Sequence, residues 1–132
     1  MTKRILMIED DKGMVSLGRL MLEGAGYEVL AAYNGPQGLK ILRENEVDLV
    51  LLDIMMVGMD GWQVLDDIKS DEAFRDLPVI MLTAREQQEN IQSVIEHKGK
   101  FYEYVVKPFV VRELLSTIRL ALTDAEKDHD ED

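Results

Sequence analysis

Five short apolar runs, each followed by a stretch with helical spacing, constrain this chain more than any other feature. The runs are residues 4–8, 27–32, 48–52, 78–82 and 102–106. The first, third and fourth lack polar alternation, as strands do when helices cover both of their faces. These three are expected at the centre of a sheet. Between the runs the apolar period lengthens to that of helices. Met14, Leu17, Met21 and Leu22 form one stripe, stopped by Gly24 and Gly26, with Asp10 or Asp11 able to cap its start. Asn34 before Gly35-Pro36 opens a second helix with Leu39, Ile41 and Leu42 as its apolar contacts. A third begins after Gly61 with Trp62, Leu65 and Ile68. A fourth, at about 86–97, turns Ile91, Val94 and Ile95 toward the sheet. The fifth sets Val111, Leu114, Leu115, Ile118 and Leu122 on one side. This alternation is (βα)5, an α/β doubly wound architecture with a parallel sheet and right-handed crossovers.

A length of 132 residues suits one domain with one core. The last ten residues, 123–132, hold six acids against one lysine. They read as a disordered acidic tail on a domain spanning 1–122. The absence of cysteine, and the wide separation of His97 and His129, exclude thiolate and histidine metal clusters, so any metal here is hard and oxygen-ligated. A formal net charge of -11 argues against direct binding to nucleic acid or an anionic membrane. The apolar stretches are short, and the start runs straight into strand-like residues, so a soluble cytoplasmic protein is expected.

In open sheets of this kind the site lies beyond the carboxyl ends of the strands, where the strand order switches. There the sequence places Glu9-Asp10-Asp11 after the first strand, Asp53 after the third, Thr83-Ala84 after the fourth and Lys107-Pro108 after the fifth. Several carboxylates in one crevice repel each other and lose hydration, which a cation relieves. Magnesium, or manganese in its place, suits a site of carboxylates, carbonyls and waters. A free carboxylate such as Asp53 can then act as nucleophile toward a phosphoryl donor, with the Thr83 hydroxyl and the Lys107 ammonium suited to the remaining phosphoryl oxygens. Trp62 reads as a packing residue rather than a ligand stacker, and the methionines as core filling.

The segments 5–11 (ILMIEDD), 51–61 (LLDIMMVGMDG), 78–84 (PVIMLTA) and 104–109 (YVVKPF) together resemble the signatures of response-regulator receiver domains of two-component signalling. The resemblance extends over residues 3–122 and implies a flavodoxin-like sheet of order 2-1-3-4-5. It implies Asp53 as phosphoacceptor, Asp10 and Asp53 as metal ligands with the Met55 carbonyl, and Glu9 assisting the metal through water. Thr83 and Lys107 would contact the phosphoryl group, and Tyr104 would be the aromatic switch residue. Ala84 would leave room for phosphoryl access, while Met55 and Arg85 would flank the line along which water approaches the phosphorus. The implied partners are a sensor histidine kinase or phosphotransfer protein and a downstream output protein, reached through the face of the fourth helix, fifth strand and fifth helix. Such a domain is a switch that catalyses only its own phosphorylation and dephosphorylation, not a turnover enzyme.

Two positions depart from the family pattern. Val57 stands where proline is usual, so the loop after Asp53 is expected to be less rigid, because proline would fix φ. The segment 99–104 (GKFYEY) is one residue longer and more aromatic than usual, which makes Tyr102 a rival to Tyr104. Two other readings remain. A magnesium-dependent phosphohydrolase would need a second Asp two residues after the nucleophile, where this chain has Met55. A phosphorylation-independent interaction module would usually have lost one of the acids, the threonine or the lysine, and all are present.

Overall fold

The computed structural model describes residues 2–84, 91–107 and 109–130. In chain order the elements are β1 (Arg4–Ile8), α1 (Lys12–Gly24), β2 (Glu28–Ala32), α2 (Gly35–Glu44), β3 (Leu49–Asp53), β4 (Met55–Met56), β5 (Met59–Asp60) and α3 (Gly61–Lys69). A 3-10 turn at Glu72–Phe74 follows, then β6 (Val79–Ala84), α4 (Ile91–Glu96), β7 (Glu103–Lys107) and α5 (Val111–Asp130). Five strands make one parallel sheet in the order β2-β1-β3-β6-β7. With the small β4–β5 hairpin set aside, that is the expected 2-1-3-4-5.

Strand alternation divides the core into two layers. Leu6, Ile8, Val50, Leu52, Val79 and Met81 meet Leu42 of α2 and Trp62, Leu65 and Ile68 of α3. Ile5, Met7, Leu49, Leu51, Ile80 and Leu82 meet Leu22 of α1 and Leu114 and Ile118 of α5. Both faces of β1, β3 and β6 are therefore dry, which is why their sequences carry no polar alternation. Among the described residues no helix is long and apolar enough to cross a membrane.

The helices follow the expected pattern with corrections. In α1 the buried positions are Val15, Gly18 and Leu22, while Leu17 is 56% exposed. Gly18 is the cause: a Cβ there would collide with the Met7 side chain, so the helix approaches the sheet on its glycine face and turns Leu17 outward. In α5, Leu114, Ile118 and Leu122 are buried but Val111 is not, and in α4 Ile95 is 60% exposed. The first part of the expected fourth helix, 86–90, lies outside the described residues. The expected disordered tail from Thr123 is also corrected, since α5 continues to Asp130. Tyr102 Oη donates to Asp124 at 2.7 Å and Lys3 pairs with Glu126 at 2.8 Å, giving the acidic turns partners that the local sequence does not contain.

Behind the site, Trp62 is buried and stacks on His97, with ring centroids 4.8 Å apart. His97 also places Nδ1 2.7 Å from the Ser93 carbonyl and Nε2 3.1 Å from Asp66, and Lys100 bonds the other Asp66 oxygen. Phe101, from the lengthened segment before β7, packs edge-on to Trp62. The extra aromatic length thus fills the space between α3 and β7.

Candidate functional site

The parallel register brings the carboxyl ends of β1, β3, β6 and β7 to one edge of the sheet. Asp53 pairs opposite Leu82, and Ala84 opposite Lys107, so Asp53 and the lysine occupy the last positions of their strands and Thr83 the last but one of its own, rather than the loops beyond. Strand backbone fixes where these side chains start, and loops could not do so as well. β3 and α3 then meet at Gly61. A Cβ at Gly61 would strike the Asp53 carbonyl and the Ile54 backbone, and the Gly61 amide donates to Ile54 O at 2.7 Å. Only glycine permits this approach.

After β1 the three acids have different roles. Asp11 is the N-cap of α1, its Oδ1 accepting from the amides of Gly13 at 2.9 Å and Met14 at 3.2 Å. Asp10 is thereby left to the site. Glu9 is 2% exposed, and its Oε1 accepts from Lys107 Nζ at 2.8 Å, while its Oε2 accepts from the Asp11 amide. Asp53 is 6% exposed; its Oδ1 accepts from the Met55 amide at 3.2 Å and its Oδ2 lies 3.5 Å from Lys107 Nζ. Carboxylate oxygens of Glu9, Asp10 and Asp53 all lie within 4.8 Å of one another.

The electrostatics follow from burial and from this division of the lysine. Burial, then the neighbouring Glu9 carboxylate, push Asp53 up to about 7, against the downward pull of Lys107 and the Met55 amide. Burial works against the Lys107 ammonium, but its bond to Glu9 and the Asp53 charge outweigh it and raise its pKa. One cation thus faces more negative charge than it can offset. The donors are oxygens throughout, a set that fits a hard divalent ion and no softer one.

Thr83 is 3% exposed, at the end of β6. Ala84 closes that strand, and Arg85 lies outside the described residues. Met55 follows Asp53 by two residues, in β4, and is 55% exposed. Tyr104 is on the outer part of β7, exposed and edge-on to Phe101. The Tyr102 hydroxyl is committed to Asp124 of α5 instead. The site residues named from sequence are therefore brought to one strand edge, with Tyr104 farther back along β7 and Arg85 undescribed.

The sequence reading missed one participant. Met55–Met56 and Met59–Asp60 pair as a hairpin around Val57-Gly58, with φ of +72° at Gly58, the sense of a type II turn. Val57 is 95% exposed, yet its amide donates to Asp10 Oδ2 at 2.7 Å. Where a looser loop was expected, the valine supplies a donor that proline lacks. The departure at position 57 was visible in the sequence; its partner 47 residues away was not.

Comparison with known proteins agrees with this geometry. The family model described as response regulator receiver domain matches residues 5–119. A CheY-like response regulator receiver domain protein from Methanospirillum hungatei is 29% identical, with a TM-score of 0.86 over 97% of this chain and 99% of that one. A putative response regulator from Chloroflexus aurantiacus is 28% identical, with a TM-score of 0.85 over 93% of this chain and 99% of that one. NtrX from Brucella abortus, solved with ADP, is 26% identical with a TM-score of 0.86; the match covers 98% of this chain and 29% of NtrX.

Proposed function

This chain belongs to the response regulator receiver domain family of two-component signalling, and on that premise we propose that it is a phosphorylation-dependent switch with Asp53 as its acceptor. The observation that carries the reading is the setting of Asp53: a buried carboxylate at the end of a central strand, beside Glu9 and Asp10 and within 3.5 Å of Lys107. An Asp53 oxygen attacks the phosphorus of a phosphohistidine on a histidine kinase or phosphotransfer protein, or of a small phosphodonor. The new O–P bond forms as the P–N bond of the phosphohistidine breaks, and the bonding pair leaves on the imidazole nitrogen.

Asp10, Asp53 and the Met55 carbonyl would hold magnesium or manganese, with Glu9 assisting through water. The ion would offset the charge of the transferred phosphoryl group. This chain's own residues do the rest. Lys107 lies between Glu9 and Asp53 and can follow the new phosphoryl oxygens without leaving the cluster. Thr83 starts from an adjacent strand end and would give them its hydroxyl, drawing in the end of β6. Ala84 would leave room for the donor. Tyr104 then exchanges its exposed position for the vacated space, changing the face made by α4, β7 and α5 that meets an output partner. Tyr102 does not compete, because its hydroxyl anchors α5. Met55 and Arg85 would flank the path of hydrolytic water. The setting is cytoplasmic, without direct contact to nucleic acid or membrane.

The test is intact-mass measurement after incubation with acetyl phosphate and magnesium. A single phosphoryl adduct is expected, and none in Asp53→Asn. An undiminished, stable adduct in that variant overturns the assignment.

A further inference from the structure

The amide of Val57 is out of place in an exposed turn. A residue with almost all its surface in water needs no protein partner for its N–H, yet this one reaches Asp10 Oδ2 at 2.7 Å, the range of a charge-assisted bond. Asp10 itself is only half-buried, and neither Lys107 nor the α1 cap bonds its carboxylate. Among the contacts described for that carboxylate, the Val57 amide is the one that fixes its rotation. With Oδ2 so engaged, the carboxylate keeps its other oxygen without a described partner, beside the Glu9 and Asp53 carboxylates.

We propose that the backbone amide of Val57 is a positioning group for the divalent-cation site: it orients the Asp10 carboxylate so that one oxygen ligates and the other is tied to the β4–β5 hairpin. Hydrogen bonds to ligating carboxylates set metal affinity nearly as strongly as the ligands themselves, and their loss typically weakens binding by about 10–100-fold. Here the donor comes from a main-chain position at which the side chain is free to vary but proline is not. The Val57 bond also ties the first strand's loop to the loop after Asp53, closing a path from Asp10 through the hairpin back to Asp53, whose Oδ1 accepts from the Met55 amide. This inference rests on the magnesium site proposed above.

Val57→Pro deletes the donor and nothing else that the turn requires, since proline suits the position before a positive-φ glycine in a type II turn. Val57→Ala retains the donor. Magnesium affinity of the full chain, measured by titration calorimetry, is expected to fall on the order of tenfold in Val57→Pro and to match wild type in Val57→Ala. In metal-free wild type the Val57 amide hydrogen should exchange more slowly than a freely exposed turn amide, and should reach that free rate in Asp10→Ala. Equal affinity in Val57→Pro and wild type, or a Val57 amide that exchanges at the free rate in wild type, overturns the positioning role while leaving the magnesium site intact. Failure of wild type itself to bind magnesium overturns the proposed site and this inference with it.

Discussion

Lys107 donates to Glu9 at 2.8 Å and stands farther from Asp53, at 3.5 Å. The lysine is thus chiefly the partner of a buried glutamate and only secondarily a neighbour of Asp53. Removing it strands a charge that is almost wholly out of water. Lys107→Met is expected to lower stability in chelator by about 2–3 kcal/mol, below the value for a fully buried pair because Lys107 keeps some contact with solvent. Adding Glu9→Gln should restore most of that loss. Urea unfolding of the single and double variants checks this; a single variant as stable as wild type would remove Glu9 as the main partner.

The same geometry gives metal-free stability a pH dependence. Asp53 is pushed up to about 7, whereas its ordinary value is 3.8. Between those values the folded chain holds a proton that the unfolded chain has released, so this residue's contribution is full below pH of about 4 and is lost as pH rises through about 7. The stability of Asp53→Asn minus that of wild type, from urea midpoints in chelator, should therefore grow across this window and then level off. A difference that shrinks with rising pH would reverse the assigned shift.

Tyr102 is bonded to α5 through Asp124. Its phenol is pushed up to about 12, chiefly by its bond to Asp124. Tyr102→Phe should speed amide exchange in the turns of α5 after Leu122 and leave phosphorylation of Asp53 unchanged. Unaltered exchange in α5 would remove the anchoring role assigned to the Tyr102 hydroxyl.

If Asp53 is the acceptor, as proposed, persistence of the phosphorylated form depends on water reaching the phosphorus in line with the Asp53 oxygen. The Met55 side chain is exposed two residues after Asp53, and it cannot orient water by a strong hydrogen bond. Met55→Asn supplies an amide that can, and should shorten the lifetime of the phosphorylated protein several-fold, less than the roughly 100-fold or more of a positioned general acid or base, because an amide orients the water without taking its proton. Decay after donor removal in magnesium buffer measures it, and an equal or longer lifetime would show that this side chain does not set the rate.

Much of the fold and the site was legible in the sequence because parallel strands buried on both faces need unbroken apolar runs, and polar residues at the ends of such runs have one edge of the sheet to occupy. Asp53, Thr83 and Lys107 are found that way. Leu17 was misread because periodicity counts side chains, whereas α1 approaches the sheet through the absence of one at Gly18. Residues 123–130 look disordered when only their own charges are considered, since Tyr102 and Lys3, which partner them, lie far off in sequence. The valine in place of proline at position 57 showed that an N–H was present, but only the fold determines what that N–H meets.

The stack of Trp62 on His97 gives the molecule a built-in optical reporter. Trp62 is the single tryptophan of the chain; it is the second residue of α3, directly after Gly61, which approaches the Asp53 backbone, and its ring lies against a histidine bonded to Ser93 of α4. Indole emission depends on the groups stacked against it, so unlabelled protein carries a fluorescence signal sensitive at one end to the acceptor loop and at the other to the position of α4. Events at these two ends can be followed in time with the same wavelength and compared for whether they coincide.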